Sequence, residues 1–301
     1  MKVLSPDRLR DRFVERATAR FARHVPDFVA LQQLVADRGG TFRNDHGAIR
    51  TADPAVRDLF VRAANVLGLE RELDYDFPAK KLKSFDLQVP GEDAGQFKIF
   101  VSQVDLHAFP EKVAAMVRED CAEQADAVDH GPFRDLIERA VRDGGLREAE
   151  AEAFVAHFTE RLMNRNGPPL KRATLEAVAA VSGEAASALA LGPDFNHVTI
   201  DVRAAGFKGI EEMAAAMRAR GFRLLPEIQG APGTKLRQTA TLAATMDTPV
   251  READGCIGTA QTEKQFVEII ERSRVERHDR IFKNFLAANA EKIFDAASTK
   301  L

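Results

Sequence analysis

The sequence predicts an α+β fold in which two βαβββ-type modules form a curled sheet, with a helical insertion between the modules. A strand, a helix and further strands follow one another in similar order near each end of the chain. The long stretch between them has helical periodicity and no strand-like run. No residue-level repeat links the two modules, so the prediction rests on the order of the elements.

The N-terminal elements are predicted to be helices. Four apolar residues recur at four-residue spacing in a charged segment, namely Leu9, Phe13, Ala17 and Phe21. This spacing predicts a helix with one buried stripe. A second helix is predicted over residues 27–37, after a proline and before two glycines.

The first β-rich module is predicted to follow these helices. Residues 41–51 are too polar and turn-rich for a helix, which favours a short strand with an interruption. Residues 54–69 return to helical spacing, and a further strand is expected over 73–77. Residues 82–101 alternate around a Pro-Gly turn and predict a hairpin of two paired strands.

The middle of the chain is predicted to be helical over residues 110–165 and again over the alanine-rich residues 170–191. A Gly-Pro pair then marks a new unit. We expect a single domain over residues 1–301 with four parts: the N-terminal helices and first module (1–109), the helical segment (110–192), the second module (193–277) and a C-terminal helix (278–301).

The second module is predicted to contain strands over residues 195–202, 222–228 and 235–245, with a helix over 207–220. The apolar segment 266–270 closes it. Periodicity there allows either a covered strand or a helix beginning at residue 263, and the sequence leaves both open.

Composition excludes several classes of protein. The 43 Lys and Arg residues are balanced by 46 Asp and Glu residues, for a net charge of −3, so nucleic-acid binding is disfavoured. No apolar run is long enough to span a bilayer, and the N-terminus is too charged for a signal peptide, so we expect no membrane association. Two cysteines without a CxxC motif fit a reducing compartment, and we expect a cytoplasmic protein.

Two histidines lie on predicted strands. Alternation in FNHVTIDV places His197 opposite the apolar Val198 and Ile200, toward the interior of a curled sheet. In NDHGAIRT, His46 and Arg50 are four residues apart and share one face of a regular strand. Imidazole is the commonest side-chain metal ligand, and a guanidinium can hold a carboxylate bidentately. The simpler alternative for His197 is a structural histidine that is hydrogen-bonded within the protein or faces solvent. The simpler alternative for the other segment is a turn in which His46 has no functional role and Arg50 lies at the surface.

A carboxylate completes the candidate site. Glu268 is surrounded by apolar residues in QFVEIIER, and on a covered strand it would need a cation or hydrogen bonds. On a helix it would instead be solvated. Together with His46 and His197 it matches a two-histidine, one-carboxylate metal triad with open coordination positions. Gln238, on a predicted strand, is a candidate to hydrogen-bond a ligand.

The remaining histidines are expected to lie at the surface or at element boundaries. They are His24, His107, His130 and His157, with His278 assigned to the charged C-terminal helix. The chain contains no GxGxxG after a strand, no GxxxxGK[ST], no GxSxG and no HExxH motif. Dinucleotide-binding, P-loop, serine-hydrolase and zincin functions therefore lose support.

Over nearly its whole length, the chain resembles the 2-oxoadipate dioxygenase/decarboxylase family, also called hydroxyglutarate synthase. Five ordered segments carry the resemblance: NDHGAIRT, IFVSQVDL, FNHVTIDV, RQTATLAAT and FVEIIER. The resemblance implies a vicinal oxygen chelate-like fold and non-haem Fe(II) held by two histidines and a glutamate, which correspond to His46, His197 and Glu268. It also implies that Arg50 helps to hold a 2-oxo acid.

The implied reaction is the O2-dependent conversion of 2-oxoadipate to 2-hydroxyglutarate and CO2 in lysine catabolism. The chain departs from the family pattern before the last ligand, where TEKQFVEIIER lacks a Pro-Gly. This departure makes Glu271 a rival of Glu268. Two other hypotheses stay open: a vicinal oxygen chelate-like isomerase or hydrolase that uses Zn(II) or Ni(II), and a metal-free binding protein with structural histidines.

Overall fold

The protein has a mixed α+β fold built on one curled sheet. The computed structural model describes residues 3–91, 95–275 and 280–299. Its helices are α1 (Pro6–His24), α2 (Pro26–Asp37), α3 (Pro54–Val66), α4 (Glu111–Ala125), α5 (Gly131–Asp143), α6 (Glu148–His157), α7 (Arg172–Ala179), α8 (Gly183–Leu191), α9 (Ile210–Ala219) and α10 (Ala287–Ile293). Its strands are β1 (Asn44–Thr51), β2 (Glu70–Phe77), β3 (Leu82–Gln88), β4 (Lys98–Val104), β5 (Leu170–Lys171), β6 (Phe195–Asp201), β7 (Leu236–Ala240), β8 (Thr245–Arg251), β9 (Ile257–Glu263), β10 (Phe266–Arg272), β11 (Arg274–Val275) and β12 (Arg280–Ile281).

Seven strands form the main sheet in the order β2-β3-β4-β1-β6-β10-β7. The first half of the sheet is β2-β3-β4-β1, in which β1 pairs with β4 in parallel and β3 pairs with β4 as an antiparallel hairpin. The second half is β6-β10-β7, in which β10 pairs with β6 in parallel and with β7 antiparallel. The halves join where β1 pairs antiparallel with β6. The central strands β1, β6 and β10 are therefore neighbours.

The two faces of the sheet pack against different helices. Val198 and Ile200 belong to a large apolar cluster that includes residues of α1, α2, α3, α5, α6 and α9. Ala48 and Phe100 belong to a second cluster with residues of α4, α7, α8 and α10. We call this second side the site face, because it carries the candidate residues described below. Burial on both faces explains why every residue of β6 is buried.

Local sequence features determine several helix boundaries. Helix α1 begins at a proline and buries the predicted stripe of Leu9, Phe13, Ala17 and Phe21. Helix α3 also begins at a proline, and the Asp53 side chain caps it by accepting a hydrogen bond from the backbone N–H of Ala55.

The predicted fold class is confirmed, including the helices between the modules and the hairpin after residue 82. The strand predicted over residues 41–51 is β1, and the segment near residue 266 is the strand β10 rather than a helix. Strand β2 begins three residues earlier than predicted. The helical region 170–191 is divided into α7 and α8, and Ser182 caps the second of them.

The second module differs from the prediction. Residues 222–228 do not form a strand, and isolated bridges join Leu224 to Thr241 and Gln229 to Gln238. Pro226 lies in this segment and has no N–H to donate to a strand ladder, which explains the interruption. The strand predicted over 235–245 ends at Ala240, and β8 begins at Thr245 in a different sheet.

A small three-stranded sheet in the order β5-β8-β9 was missing from the prediction. Strands β8 and β9 pair as an antiparallel hairpin from Thr245↔Glu263 to Arg251↔Ile257. Its turn contains Asp254 and Gly255, and Gly255 has a φ of +86°. A turn signal of this type between two alternating segments could have revealed the hairpin.

The C-terminal region is also different from the prediction. Instead of one helix over 278–301, the described residues form the short strand β12, the helix α10 and a 3-10 turn at Phe294–Ala296. His278 lies outside the described residues. In the part of the chain that the structure describes, no helix has the length and apolar character needed to cross a membrane.

Candidate metal centre

Three neighbouring strands bring the predicted ligands together. His46 lies on β1, His197 on β6 and Glu268 on β10, and all three side chains are buried. The strand register explains their proximity, because Thr199 of β6 is paired with both His46 and Glu268. One ligand atom from each of the three side chains lies within 4.8 Å of the other two, a spacing at which they could hold one metal ion.

The side chains converge on one carboxylate oxygen. Glu268 Oε2 lies 3.2 Å from His197 Nε2 and 3.5 Å from His46 Nε2. Thr199 Oγ1 donates a hydrogen bond of 3.0 Å to the same oxygen and lies 3.1 Å from His46 Nε2. The two imidazole rings are nearly perpendicular, at 84°, with centroids 5.6 Å apart. Two nitrogen atoms and one oxygen atom thus face a common point.

The protonation states of Glu268 and His197 suit a cation, whereas His46 is different: burial lowers its pKa, but its hydrogen bonds with Asp45 and Glu268 raise the pKa above its ordinary value. Burial raises the pKa of Glu268, but its hydrogen bonds with His197 and His46 lower that pKa to about 2. Burial also lowers the pKa of His197 below its ordinary value, which favours the neutral imidazole. At neutral pH the carboxylate is therefore ionised and His197 is neutral, which are the forms that bind metals.

Unpartnered buried atoms support this interpretation. Glu268 Oε1 and His197 Nδ1 are buried, and neither has a hydrogen-bond partner among the described residues. An isolated ionised carboxylate is costly to bury, and a bound cation would offset that cost. The donor set of two imidazoles and one carboxylate suits Fe(II) and related transition metals. The residues present therefore fit a metal ion.

Asp45 and Arg272 form a second layer behind His46. Asp45 Oδ1 lies 2.8 Å from His46 Nδ1, and the Arg272 guanidinium donates two hydrogen bonds to the Asp45 carboxylate, at 2.7 and 2.8 Å. Although burial opposes it, the charges of Arg272 and of Lys98, 4.0 Å away, hold the pKa of Asp45 well below its usual range. An ionised Asp45 accepts a hydrogen bond from the Nδ1–H of His46, and this tautomer leaves the Nε2 lone pair free for the site.

Arg50 and Gln238 are the two predicted substrate-binding residues, and the charge of Arg50 acts on His197 while Gln238 lines the triad cavity. Arg50 is buried, donates a hydrogen bond of 3.3 Å to the Glu184 carbonyl and lies 5.0 Å from the Phe294 ring centroid. Its Nε has no partner in the described ranges, and burial lowers its pKa to about 10, so it stays cationic at neutral pH. The Gln238 side chain lines the same cavity as the triad, and its Oε1 is also unpartnered there.

An apolar roof covers the triad. The C-terminal segment contributes Phe285, Ala290, Ile293 and Phe294 to the cavity, and β4 contributes Phe100. The Phe285 ring packs edge-on against the His46 ring, with centroids 4.8 Å apart at 86°. The cavity beneath measures about 20 Å³, which is room for one or two waters.

The geometry separates the two candidate carboxylates. Glu271 lies three positions after Glu268 on β10 and therefore points to the opposite face of the sheet. Its Oε2 lies 3.5 Å from Arg237 Nη1. Glu268 is thus the carboxylate that the structure places with the histidines.

The other histidines differ among themselves. His24 and His107 are exposed, as expected. His130 and His157 are half-buried, and His130 Nδ1 lies 2.8 Å from His157 Nε2, a contact that the sequence did not predict.

Thr199, Asp45 and Arg272 were also not predicted as site residues. Alternation could have revealed Thr199, which lies two positions from His197 on the same face.

The curled sheet of the chain has the fold of a solved glyoxalase superfamily protein. The family model described as 2-oxoadipate dioxygenase/decarboxylase matches residues 13–298. The chain therefore belongs to this family of enzymes. A search of curated proteins finds no match.

Solved structures agree with this assignment of the fold. A glyoxalase superfamily protein from Ralstonia eutropha JMP134 is 21% identical, with a TM-score of 0.84 over 95% of this chain and 88% of its own. Hydroxyglutarate synthase from Oryza sativa, solved in complex with 2-oxoadipate, is 19% identical, with a TM-score of 0.73 over 95% of this chain and 91% of its own. The Pseudomonas putida hydroxyglutarate synthase, also with 2-oxoadipate, is 21% identical, with a TM-score of 0.71 over 91% of this chain and 66% of its own.

Proposed function

We propose that the protein is a non-haem Fe(II)-dependent dioxygenase that decarboxylates a 2-oxo acid, with 2-oxoadipate as the substrate to test first. The products would be 2-hydroxyglutarate and CO2, as in a cytoplasmic step of lysine breakdown. The observation that carries the proposal is the buried cluster of His46, His197 and Glu268 with the cationic Arg50 on the same strand as His46. Family membership and the 2-oxoadipate complexes of the Oryza and Pseudomonas enzymes support the choice of substrate.

Each site residue has a distinct role in this proposal. His46, His197 and Glu268 hold the metal, and Thr199 orients Glu268 through its hydrogen bond. Fe(II), when bound, would supply coordination positions for the 2-oxo acid and O2 and the electrons that oxygen activation needs. Arg50 neutralises a substrate carboxylate, and its unpartnered Nε is available for that contact. Gln238, which lines the cavity, donates or accepts a hydrogen bond with the substrate.

The apolar roof excludes water during the reaction. Phe100, Phe285 and Phe294 surround the site, so the charges inside interact more strongly than they would in water. This exclusion follows from the position of the C-terminal segment, which supplies Phe285 and Phe294.

Oxygen consumption tests the proposal. Protein loaded anaerobically with Fe(II) is mixed with 2-oxoadipate, and O2 uptake, CO2 and 2-hydroxyglutarate are measured. We expect all three in equal amounts, because one O2 enters for each CO2 released. The His197→Ala variant should be inactive, and Arg50→Lys should raise the KM for the 2-oxo acid.

Two other outcomes of this experiment would contradict the proposed reaction. Turnover that needs Zn(II) or Ni(II) and no O2 would favour an isomerase or hydrolase. If the iron-replete protein takes up no O2 with 2-oxoadipate or any other 2-oxo acid, the proposed reaction is wrong.

A further inference from the structure

One buried arginine links the candidate metal ligand His46 to the roof of the site. Arg272 lies four positions after Glu268 on β10, so the two side chains share a face of the sheet. Its Nε and Nη2 hold both oxygens of Asp45, the carboxylate that contacts His46 Nδ1. Only 4% of the Arg272 residue is exposed.

A bulge in β1 makes this arrangement possible. Consecutive strand residues normally point to opposite faces, so Asp45 would be expected to point away from His46. The register of β1 against β6 shifts at this point: Asn44 pairs with Ile200, whereas His46 pairs with Thr199. Asp45 is therefore the extra residue, and a bulge of this kind re-aims a side chain. The bulge brings Asp45 alongside the ring of His46.

The third nitrogen of the same guanidinium holds the start of the roof. Arg272 Nη1 donates to the carbonyl oxygens of Phe282, Lys283 and Asn284, at 3.2, 3.1 and 2.8 Å. The next residue is Phe285, whose ring packs against His46 and lies 5.2 Å from the Arg272 guanidinium carbon. The hydrogen bonds from Arg272 thus hold residues 282–284 beside the site, directly before Phe285 in the chain.

We propose that Arg272 is a positioning residue that acts through Asp45 on the orientation of His46 and, through residues 282–284, on the placement of the roof. A planar fork with five N–H donors can serve a carboxylate and several carbonyls at once, and a lysine cannot. Loss of the fork should loosen both His46 and Phe285. The inference rests on the proposed metal site, because the orientation of His46 matters only if His46 is a ligand.

Cobalt binding tests the inference with a readout other than turnover. Metal-free protein is titrated with Co(II), and both the affinity and the visible spectrum are recorded. We expect Arg272→Lys to weaken Co(II) binding about 10- to 100-fold, the usual effect of losing an outer-shell partner, and to change the Co(II) spectrum. Hydrogen exchange of residues 282–293, followed by mass spectrometry, should become faster in the same variant.

Arg165→Lys is the matched control. Arg165 also holds an aspartate with two nitrogens, at 2.8 and 2.6 Å from Asp120, and also donates to carbonyl oxygens, those of Leu189 and Pro168. It does not line the triad cavity. We expect this variant to lower the melting temperature without changing the Co(II) affinity or spectrum.

The outcomes separate the two proposals. Wild-type protein that binds no Co(II) would overturn the metal site and this inference together. Wild-type binding with an unchanged affinity and spectrum in Arg272→Lys would overturn this inference alone. If Arg272→Lys does not fold, Asp45→Asn replaces it, because it keeps an oxygen facing His46 but removes the charge that Arg272 holds, and the same loss of affinity is expected.

Discussion

Thr199 shows how single residues build the site. Its neighbours across the sheet are His46 on one side and Glu268 on the other, so its hydroxyl lies between two of the candidate ligands. The hydroxyl donates to Glu268 Oε2 and leaves Oε1 without a partner among the described residues. Threonine is β-branched and has few side-chain conformations on a strand, which suits an orienting role.

The choice between two glutamates gives the first prediction. Glu268→Gln should reduce metal affinity at least about 100-fold, because a neutral amide replaces an ionised ligand. Glu271→Gln should bind metal like the wild type, because Glu271 lies on the opposite face beside Arg237. Isothermal titration with Co(II) measures both affinities. A loss of binding in Glu271→Gln and none in Glu268→Gln would reverse the assignment.

The candidate metal ligands were easier to predict from the sequence than Asp45 and Arg272, the residues that position His46. Strand alternation predicted that His46 and Arg50 share a face and that His197 lies opposite Val198 and Ile200, but only the resemblance to the family grouped all three residues into one site. Asp45 could not be assigned, because the bulge breaks the alternation at that residue. The partnership of Asp45 with Arg272 joins positions 227 residues apart, and no local pattern reports such a contact.

Strand β1 shows how one element serves two faces. Gly47 follows His46, and a Cβ placed there would lie 2.6 Å from ring atoms of Phe195. Phe195 is 1% exposed and belongs to the cluster on the face opposite the site. The glycine therefore lets a buried ring pack directly against the strand that carries His46.

Substitution of this glycine is the second prediction. Gly47→Ala should lower the free energy of unfolding by about 1–3 kcal/mol, the usual cost of overpacking a core. Metal affinity should also fall, because the strand that carries His46 has to move. Chemical denaturation and Co(II) titration measure the two effects, with Gly95→Ala as the control, since a Cβ at Gly95 meets nothing within 4 Å. Wild-type stability in Gly47→Ala would show that the Phe195 ring moves aside freely.

The helical segment supplies the third prediction. His157 stacks on Phe133 and lies beside His130, and burial, followed by the charges of His130 and Arg161, lowers the pKa of His157 to about 4, although Asp129 opposes this. An unfolded histidine has a pKa of about 6.5, so the unfolded chain binds more protons between these values. This contribution to stability is present above about pH 6.5 and is lost as the pH falls toward 4.

Melting temperatures measured from pH 7.5 to pH 4.5 check this expectation. Relative to His157→Gln, the wild type should lose stability as the pH falls through that window, because glutamine does not titrate. His24→Gln replaces an exposed histidine and should follow the wild type. A constant difference between the wild type and His157→Gln at every pH would contradict the prediction.

Element order was easier to predict than element pairing. Helices and strands with a clear period were recognised, whereas the segment around Pro226 has strand-like composition but cannot complete a ladder. The strand predicted over 235–245 ran past the end of β7 at Ala240, and the prediction missed β8, which begins at Thr245 in a different sheet. Pairing depends on long-range contacts that composition does not encode.

At the scale of the whole molecule, the candidate metal site lies where the two halves of the sheet meet. His46 comes from β1 of the first half, and His197 and Glu268 come from β6 and β10 of the second half. The long helical segment separates these strands in sequence, so the halves are joined in space by the pairing of β1 with β6. A metal ion bound by all three side chains would add a second link between the halves.

Metal loading should therefore stabilise the whole fold, which is the last prediction. When the free metal concentration is about 100 times the Kd for the native state, binding raises the free energy of unfolding by about 2.7 kcal/mol. For a chain of this size, that corresponds to a rise in melting temperature of roughly 5 °C. Calorimetry of metal-free and Co(II)-loaded protein measures the rise, and a chelator should reverse it. His197→Ala should show no rise, because it removes one of the two ligands of the second half. An equal rise in His197→Ala would place the stabilising ion elsewhere in the protein, and the halves would then be held together by strand pairing and side-chain packing alone.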